Sequence, residues 1–289
     1  MSKLLHGEVI ASHGRHYMVQ QDDGAIRTCV PRGKRSDIAC GDRVAFAATS
    51  EGEGVIEALD PRSSLFYRSV AHRAKLIGAN LTQIVYVVAT EPNWSDEIVC
   101  RVIAAAEQQR MRSLIVLNKS DLPGTAPARD RLAPFAKAGY RVLEMAAKRD
   151  VAPLRECLLG QRSALVGQSG MGKSTIINSL FPEALAPTGE ISRFLDSGRH
   201  TTSASRLYRL DASSIVVDSP GLQEFGLAHL SRQDIEYGFV EIRPYLGGCR
   251  FNDCRHQVEP GCAVQAALAA GAIHPRRYEL LMRILSTVQ

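Results

Sequence analysis

Gly167-Gln168-Ser169-Gly170-Met171-Gly172-Lys173-Ser174 has the form G-x-x-x-x-G-K-[ST], the spacing of a phosphate-binding P-loop. Before it, Ser163-Ala164-Leu165-Val166 reads as a short buried strand. After it, Thr175-Ile176-Ile177-Asn178-Ser179-Leu180 reads as a helix with one apolar face. The competing reading is a Gly-rich turn, and the strand–loop–helix context argues against it. Glycines let the backbone curl without Cβ clashes, so successive N–H groups converge on one phosphate. The helix N-terminus adds partial positive charge. In such a loop, Gly167 through Thr175 face the nucleotide. Lys173 reaches the β- and γ-phosphates, and the Ser174 hydroxyl is placed for Mg²⁺.

The 289 residues suffice for two or three domains. A hydrophobic share of 45% and a charged share of 22% are ordinary for a globular protein. No apolar run approaches the ~20 residues that span a bilayer. Met1-Ser2-Lys3-Leu4-Leu5-His6-Gly7 lacks the apolar core of a signal peptide. A cytoplasmic protein with no membrane partner is the expectation. There, seven cysteines suggest thiols or metal ligands rather than disulfides. A net charge of +5 is too mild to identify a nucleic-acid partner by itself.

Residues 1–62 carry five short apolar-alternating stretches separated by turns such as Asp22-Asp23-Gly24, the pattern of a small OB-type β-barrel. This segment holds eight Lys/Arg and nine Asp/Glu, with positive charge clustered at Arg32, Lys34 and Arg35. That loop is either solvated or in contact with RNA phosphates. Pro61 to Asn80 contains no acidic residue and reads as a basic linker. Strands at 83–89, 113–117 and 140–145 then alternate with helices, one capped by Ser95 and one over 127–138, implying a mostly parallel sheet covered on both faces. Residues 205–210 and 215–218 form a hairpin in this reading. From about Ser231 the pattern is helical around a Cys-rich loop, ending in a stripe of Tyr278, Leu281, Met282 and Leu285. The expected domains are 1–62 (barrel), 63–230 (α/β) and 231–289 (helical).

Asn118-Lys119-Ser120-Asp121 follows a buried strand directly, at the strand end where such sheets bind ligands. N-K-x-D reads guanine: Asp121 can accept from guanine N1–H and the 2-amino group, a pattern adenine lacks. The Asn118 amide can reach the base or tie the loop to the P-loop, and the Lys119 stem can cover the ring. Beside a P-loop the motif selects GTP over ATP. Ala146-Ala147-Lys148 resembles the S-A-K loop, whose backbone N–H (here Ala147) meets guanine O6, with Ala146 in place of Ser. Asp218-Ser219-Pro220-Gly221 fits D-x-x-G, with Asp218 toward Mg²⁺ and the Gly221 N–H toward the γ-phosphate. In Gly198-Arg199-His200-Thr201-Thr202, Thr201, with Thr202 next, is the candidate Mg²⁺ ligand.

These are the parts of a GTPase in permuted order, because the base reader precedes the P-loop. A compact sheet tolerates permutation where the original termini are close. D-x-x-G then leads straight into the C-terminal segment. Leu222 occupies the place where many GTPases carry a water-orienting Gln. His200 is the substitute candidate, able to position or deprotonate water, against the alternative of a loop histidine that holds the switch conformation. Intrinsic hydrolysis is expected to be slow.

Cys249, Cys254, His256 and Cys262 have spacing C-x4-C-x-H-x5-C. Three thiolates and one imidazole form a closed tetrahedral set for structural Zn²⁺, with no open position for catalysis. Ordinary buried thiols are the alternative.

Together these motifs resemble the RsgA family of circularly permuted ribosome-assembly GTPases, the small ribosomal subunit biogenesis GTPases of bacteria. The resemblance spans nearly the whole chain. It implies a multi-domain fold: N-terminal OB-type barrel, central permuted P-loop GTPase domain and C-terminal helical zinc-binding domain. It further implies GTP hydrolysis to GDP and phosphate stimulated by the small ribosomal subunit, rRNA contacts from the barrel and zinc domains, a role in late subunit maturation, and release after hydrolysis. A monomer is expected. The other readings are a nucleotide-gated RNA-binding module with little hydrolysis, which Leu222 allows, and a permuted GTPase acting on another RNA.

Overall fold

The computed structural model describes residues 4–70, 73–185 and 205–288. Strands β1 (Leu5–His13), β2 (His16–Gln21), β3 (Ile26–Pro31), β4 (Arg43–Ser50) and β5 (Glu53–Leu59) follow the five apolar-alternating stretches. They close into a barrel: β1–β2, β2–β3, β4–β5 and β1–β4 are antiparallel, and β3–β5 is parallel. Val9, Tyr17, Val19, Cys29, Val44, Phe46 and Ile56 fill it, since alternate residues of each strand point inward. Arg32 pairs with Glu57 and Arg35 with Asp37. Two of the three cations in the basic loop are thus already engaged within the barrel.

Pro61 to Asn80 is not a linker. β6 (Leu65–Val70) and β7 (Arg73–Ala79) form an antiparallel hairpin. Arg62 is tied back to the buried Asp42 at 2.6 Å, and the Ser69 N–H donates to the Gly226 carbonyl at 3.1 Å. Charge spacing hid this segment because its apolar residues, Phe66 and Ile77 among them, alternate with arginines that bond to other parts of the chain.

A parallel sheet follows in the order β10 (Arg141–Glu144), β9 (Arg112–Asn118), β8 (Gln83–Ala89), β11 (Arg162–Val166), β13 (Ile215–Asp218), with β12 (Ser205–Arg209) antiparallel at its end. Every residue of β8 is buried, which accounts for its unbroken apolar run. α1 (Asp96–Gln108), α2 (Thr125–Lys137), α3 (Ala152–Leu158) and α4 (Lys173–Leu180) are the connections. The Ser95 Oγ accepts from the Ile98 N–H and caps α1. α3 went unforeseen because two turns carry too little periodicity to detect. β12 also pairs with β1 through Ala11–Arg206 and Ser12–Ser205, so barrel and parallel sheet are hydrogen-bonded into one ladder. Glu8 on β1 is buried and receives both Arg162, at 2.5 Å, and Arg209.

Helices α5 (Arg232–Tyr237), α6 (Ala263–Ala269) and α7 (Pro275–Leu285) complete the chain. α5 begins with a Ser231–Asp234 capping box. The buried stripe of α7 is Arg277, Leu280, Leu281, Ile284 and Leu285, one position away from the expected one at its start. The cause is Arg277, which is 1% exposed. Its guanidinium bonds Glu241 at 2.6 Å, donates to the Cys100 sulfur at 3.0 Å and lies 4.4 Å from the Phe239 ring centroid. Apolar-pattern reading discards arginine, yet here its charge and donors are met inside the core. Among the described residues, no helix is long and apolar enough to cross a membrane.

Truncating one partner of this pair leaves the other charge buried. Arg277→Met is expected to cost about 3–5 kcal/mol in urea denaturation, whereas Arg277→Met with Glu241→Leu recovers most of that loss. A single variant as stable as the parent would contradict this account.

Candidate functional site

Because β8, β9, β10, β11 and β13 run parallel, their carboxyl ends share one edge. The loops leaving that edge carry the Asn118–Asp121, Ala146–Lys148, Gly167–Ser174 and Asp218–Gly221 stretches, so sequence order becomes irrelevant to which of them meet.

The P-loop takes its shape from glycines. Gly172 has φ 90° and Gly170 φ 81°, left-handed values that favour glycine. A Cβ on Gly172 would run into the Asn118 amide. Met171 is buried beneath the loop, while Ser169, Gly170 and Ser174 are exposed. Gln168 is anchored from outside: its Oε1 accepts from the Ser95 N–H at 2.6 Å, a tie that the motif alone did not reveal. Lys173 is 8% exposed and donates to the Gly167 and Gln168 carbonyls at 2.7 and 3.0 Å. Burial holds its ammonium below the usual lysine range, opposed by Asp218. A phosphate arriving here meets an ammonium already desolvated and coiled within the loop.

Asn118 is 2% exposed. Its Nδ2 donates to the Met171 carbonyl at 2.9 Å, and its Oδ1 accepts from the Ala147 N–H at 3.0 Å. One side chain therefore joins the P-loop to the loop after β10. Lys119, at φ 59°, spreads over the P-loop and donates to the Gly170 and Glu91 carbonyls at 2.9 and 2.8 Å. The Ser120 N–H donates to the Met145 carbonyl at 3.2 Å. Asp121 stands at the cavity mouth, 3.5 Å from the exposed Arg149, a neighbour that no motif indicated. Asn118, Lys119, Asp121, Ala147, Gly172 and Thr175 line a cavity of about 300 Å³, of a size for one base and its sugar.

At the other end, Asp218 is the last residue of β13. Burial pushes its carboxyl up to about 6, against the lowering effect of Lys173. Gly221 is packed on the P-loop: a Cβ there would stand 3.6 Å from Lys173 Nζ. Leu222 is 3% exposed, and its N–H donates to the Gly167 carbonyl at 3.0 Å. Its side chain belongs to the core, as expected of a residue that does not orient water. Arg199, His200, Thr201 and Thr202 lie outside the described residues.

The second centre is the Cys-rich loop. Ligand atoms of Cys249, Cys254, His256 and Cys262 all lie within 4.8 Å of one another. Zn–S bonds of about 2.3 Å and a Zn–N bond of about 2.0–2.1 Å give tetrahedral edges of about 3.8 Å between sulfurs and about 3.6 Å between sulfur and nitrogen. Cys249 and Cys262 Sγ are 3.8 Å apart, and His256 Nδ1 lies 3.5 and 3.4 Å from them. The donor set and its edges fit zinc, with Nδ1 on the metal side. His256 has φ 63°, and its carbonyl accepts from Tyr278 Oη at 2.6 Å and Gln265 Nε2 at 2.7 Å. α6 and α7 thus fix the ligand's backbone.

The RsgA GTPase family model matches residues 59–228. A Nitrosospira multiformis protein called small ribosomal subunit biogenesis GTPase RsgA is 49% identical over 99% of this chain and 92% of its own length. The crystal structure of YjeQ from Thermotoga maritima is similar over 99% of both chains, with TM-score 0.75 and 26% identity. YloQ, described as a circularly permuted GTPase, shares the fold over 99% of this chain and 95% of its own, with TM-score 0.70 and 23% identity.

The raised Asp218 carboxyl has a consequence for stability. Between the ordinary 3.8 and about 6, the folded state keeps a proton that the unfolded state has released, so stability falls as pH rises through that window. Asp218→Asn is expected to flatten this part of the denaturation profile of the nucleotide-free protein. A profile unchanged by the substitution would show that the carboxyl is not strained by burial.

Proposed function

This chain belongs to the RsgA GTPase family, and on that premise we propose that it couples GTP hydrolysis to late maturation of the small ribosomal subunit, binding the subunit and its rRNA and leaving after hydrolysis. The observation that carries the reading is the convergence of base reader, P-loop and D-x-x-G turn on one sheet edge, the first two joined by the Asn118 amide and the turn followed by the Leu222 N–H donating to the Gly167 carbonyl.

In this reading, Asp121 takes guanine N1–H and the 2-amino group, and the Lys119 stem covers the base. The Ala147 N–H serves O6 as a donor shared with Asn118. Backbone N–H groups from Gly167 to Thr175, with Lys173, hold the phosphates. Ser174, Asp218 and Thr201 would hold Mg²⁺, which when bound neutralises phosphate charge. Gly221 reports the γ-phosphate. His200 positions the attacking water, the role Leu222 cannot fill. One structural Zn²⁺ sits among Cys249, Cys254, His256 and Cys262. The protein works as a monomer, and its ribosomal partner places it in the cytoplasm. Barrel and zinc region supply the rRNA contacts.

The direct test is GTP turnover with and without purified small subunits: turnover should rise with added subunits, and a rate indifferent to them would overturn the ribosomal reading. Asp121→Asn removes a charge-assisted acceptor worth about 1.5–3 kcal/mol per bond, so GTP affinity should drop tenfold or more and xanthosine triphosphate should recover part of it. Lys173→Ala should abolish turnover without unfolding the protein. His200→Ala should cut stimulated hydrolysis while leaving binding to subunits intact in the presence of a non-hydrolysable GTP analogue, so that the variant accumulates on subunits supplied with GTP. Full stimulated turnover by that variant would exclude His200 from the chemistry.

A further inference from the structure

The metal ligands leave one buried carboxylate unexplained. Glu236, on α5, is buried, and its Oε1 has no hydrogen-bond partner among the described residues. Arg232 Nε lies 2.8 Å from that oxygen as an ion pair, off the line of a hydrogen bond. On the other side, His256 Nε2 is 3.8 Å away. The imidazole places its Nδ1 beside Cys249 and Cys262, so a metal held there would take the Nδ1 lone pair and leave the ring proton on Nε2, the nitrogen nearer Glu236. A buried carboxylate oxygen whose only close partner among the described residues is the charge of Arg232 thus lies 3.8 Å from a buried ring nitrogen.

We propose that Glu236 is the positioning carboxylate of the metal centre, accepting from His256 Nε2–H and holding the imidazole in the tautomer that ligates through Nδ1. Metal-bound histidines commonly pass their second N–H to such an acceptor, which orients the ring and raises its basicity. The backbone of His256 is already pinned at its carbonyl by Tyr278 and Gln265, so the ring torsions are what remains to be fixed. Glu236 is suited to this because α5 is itself rigidly started by the Ser231–Asp234 box. Its position also matters: α5 follows directly on residues 222–230, the segment leaving the D-x-x-G turn. The carboxylate orienting a zinc ligand is therefore carried by the first helix after the nucleotide switch.

The inference rests on the zinc reading above, and its test separates the two. Metal analysis of the parent protein comes first; a folded parent without zinc would end both. With zinc present, transfer to a chromogenic chelator is followed for the parent, Glu236→Gln, Glu236→Ala and Arg232→Ala. Glu236→Ala should lose zinc affinity by about 10–100-fold, and Glu236→Gln, which keeps an acceptor of the same shape, should lose less. Arg232→Ala breaks the ion pair but keeps the carboxylate, so its affinity should stay near the parent's. Nitrogen NMR of labelled histidine should show His256 protonated at Nε2 in the parent. Zinc affinity unchanged in Glu236→Ala, an equal loss in Arg232→Ala, or ligation through Nε2 would each overturn the assignment while leaving the zinc site standing.

Discussion

The amide of Asn118 is the interaction on which the nucleotide edge depends. It is buried at the end of β9, and both of its functional ends are used, one on the P-loop at Met171 and one on the β10 loop at Ala147. An aspartate there would repel the Met171 carbonyl, and an alanine would leave a buried N–H and a buried carbonyl unpaired. Gly172 is obliged to be glycine by the same amide, because a side chain would occupy its place. The N-K-x-D motif and the P-loop are thus parts of one hydrogen-bonded unit. Permutation leaves this unit intact, since strands of the same direction deliver their loops to the same edge whatever their order along the chain.

Around that unit the chain builds two physical connections. β1 pairs with β4 in its first half, with β2 from Gly7 to His13, and with β12, and so the parallel sheet, at Ala11 and Ser12. β12 is also bonded to the barrel through its pairing with β1. On the opposite side, Arg276 and Arg277 of α7 hold α1 and its surroundings through Asp96, Cys100 and Glu241. The residue before Asp96 caps α1 and gives its N–H to Gln168 of the P-loop. Barrel and C-terminal helices therefore both touch elements that frame the nucleotide, by ladder bonds on one side and ion pairs on the other.

The segment after Gly221 carries a third connection. Leu222 bonds to Gly167, and further on Gly226 and His229 meet Ser69 of the β6–β7 hairpin at 3.1 and 2.7 Å. The hairpin packs Phe66 against Phe225, with centroids 5.6 Å apart. Any rearrangement of the D-x-x-G turn has to carry or break these contacts before it reaches α5. Leu222 is committed to the core, so the position after D-x-x-G offers no side chain that could organise water.

The separate parts are legible in local residue pattern. Five alternating stretches specified the barrel, apolar runs specified the parallel strands, and the P-loop, N-K-x-D, D-x-x-G and Cys3His spacings specified which residues gather, because each depends on local backbone geometry and residue chemistry. Tertiary structure decided what those local rules cannot encode. The Pro61–Asn80 stretch became a hairpin because Arg62, Arg68 and Ser69 find partners in Asp42, Glu224 and Gly226, from 20 to more than 150 residues away. Arg277 entered the core because aromatic rings and Glu241 from other elements meet its charge. Ala147 gave its N–H to Asn118, and Glu236 came to face His256, through the packing of segments whose separation along the chain carries no periodic signal. Burial of a charge or an amide is decided by partners distant in sequence, so it becomes visible only once the chain has closed on itself.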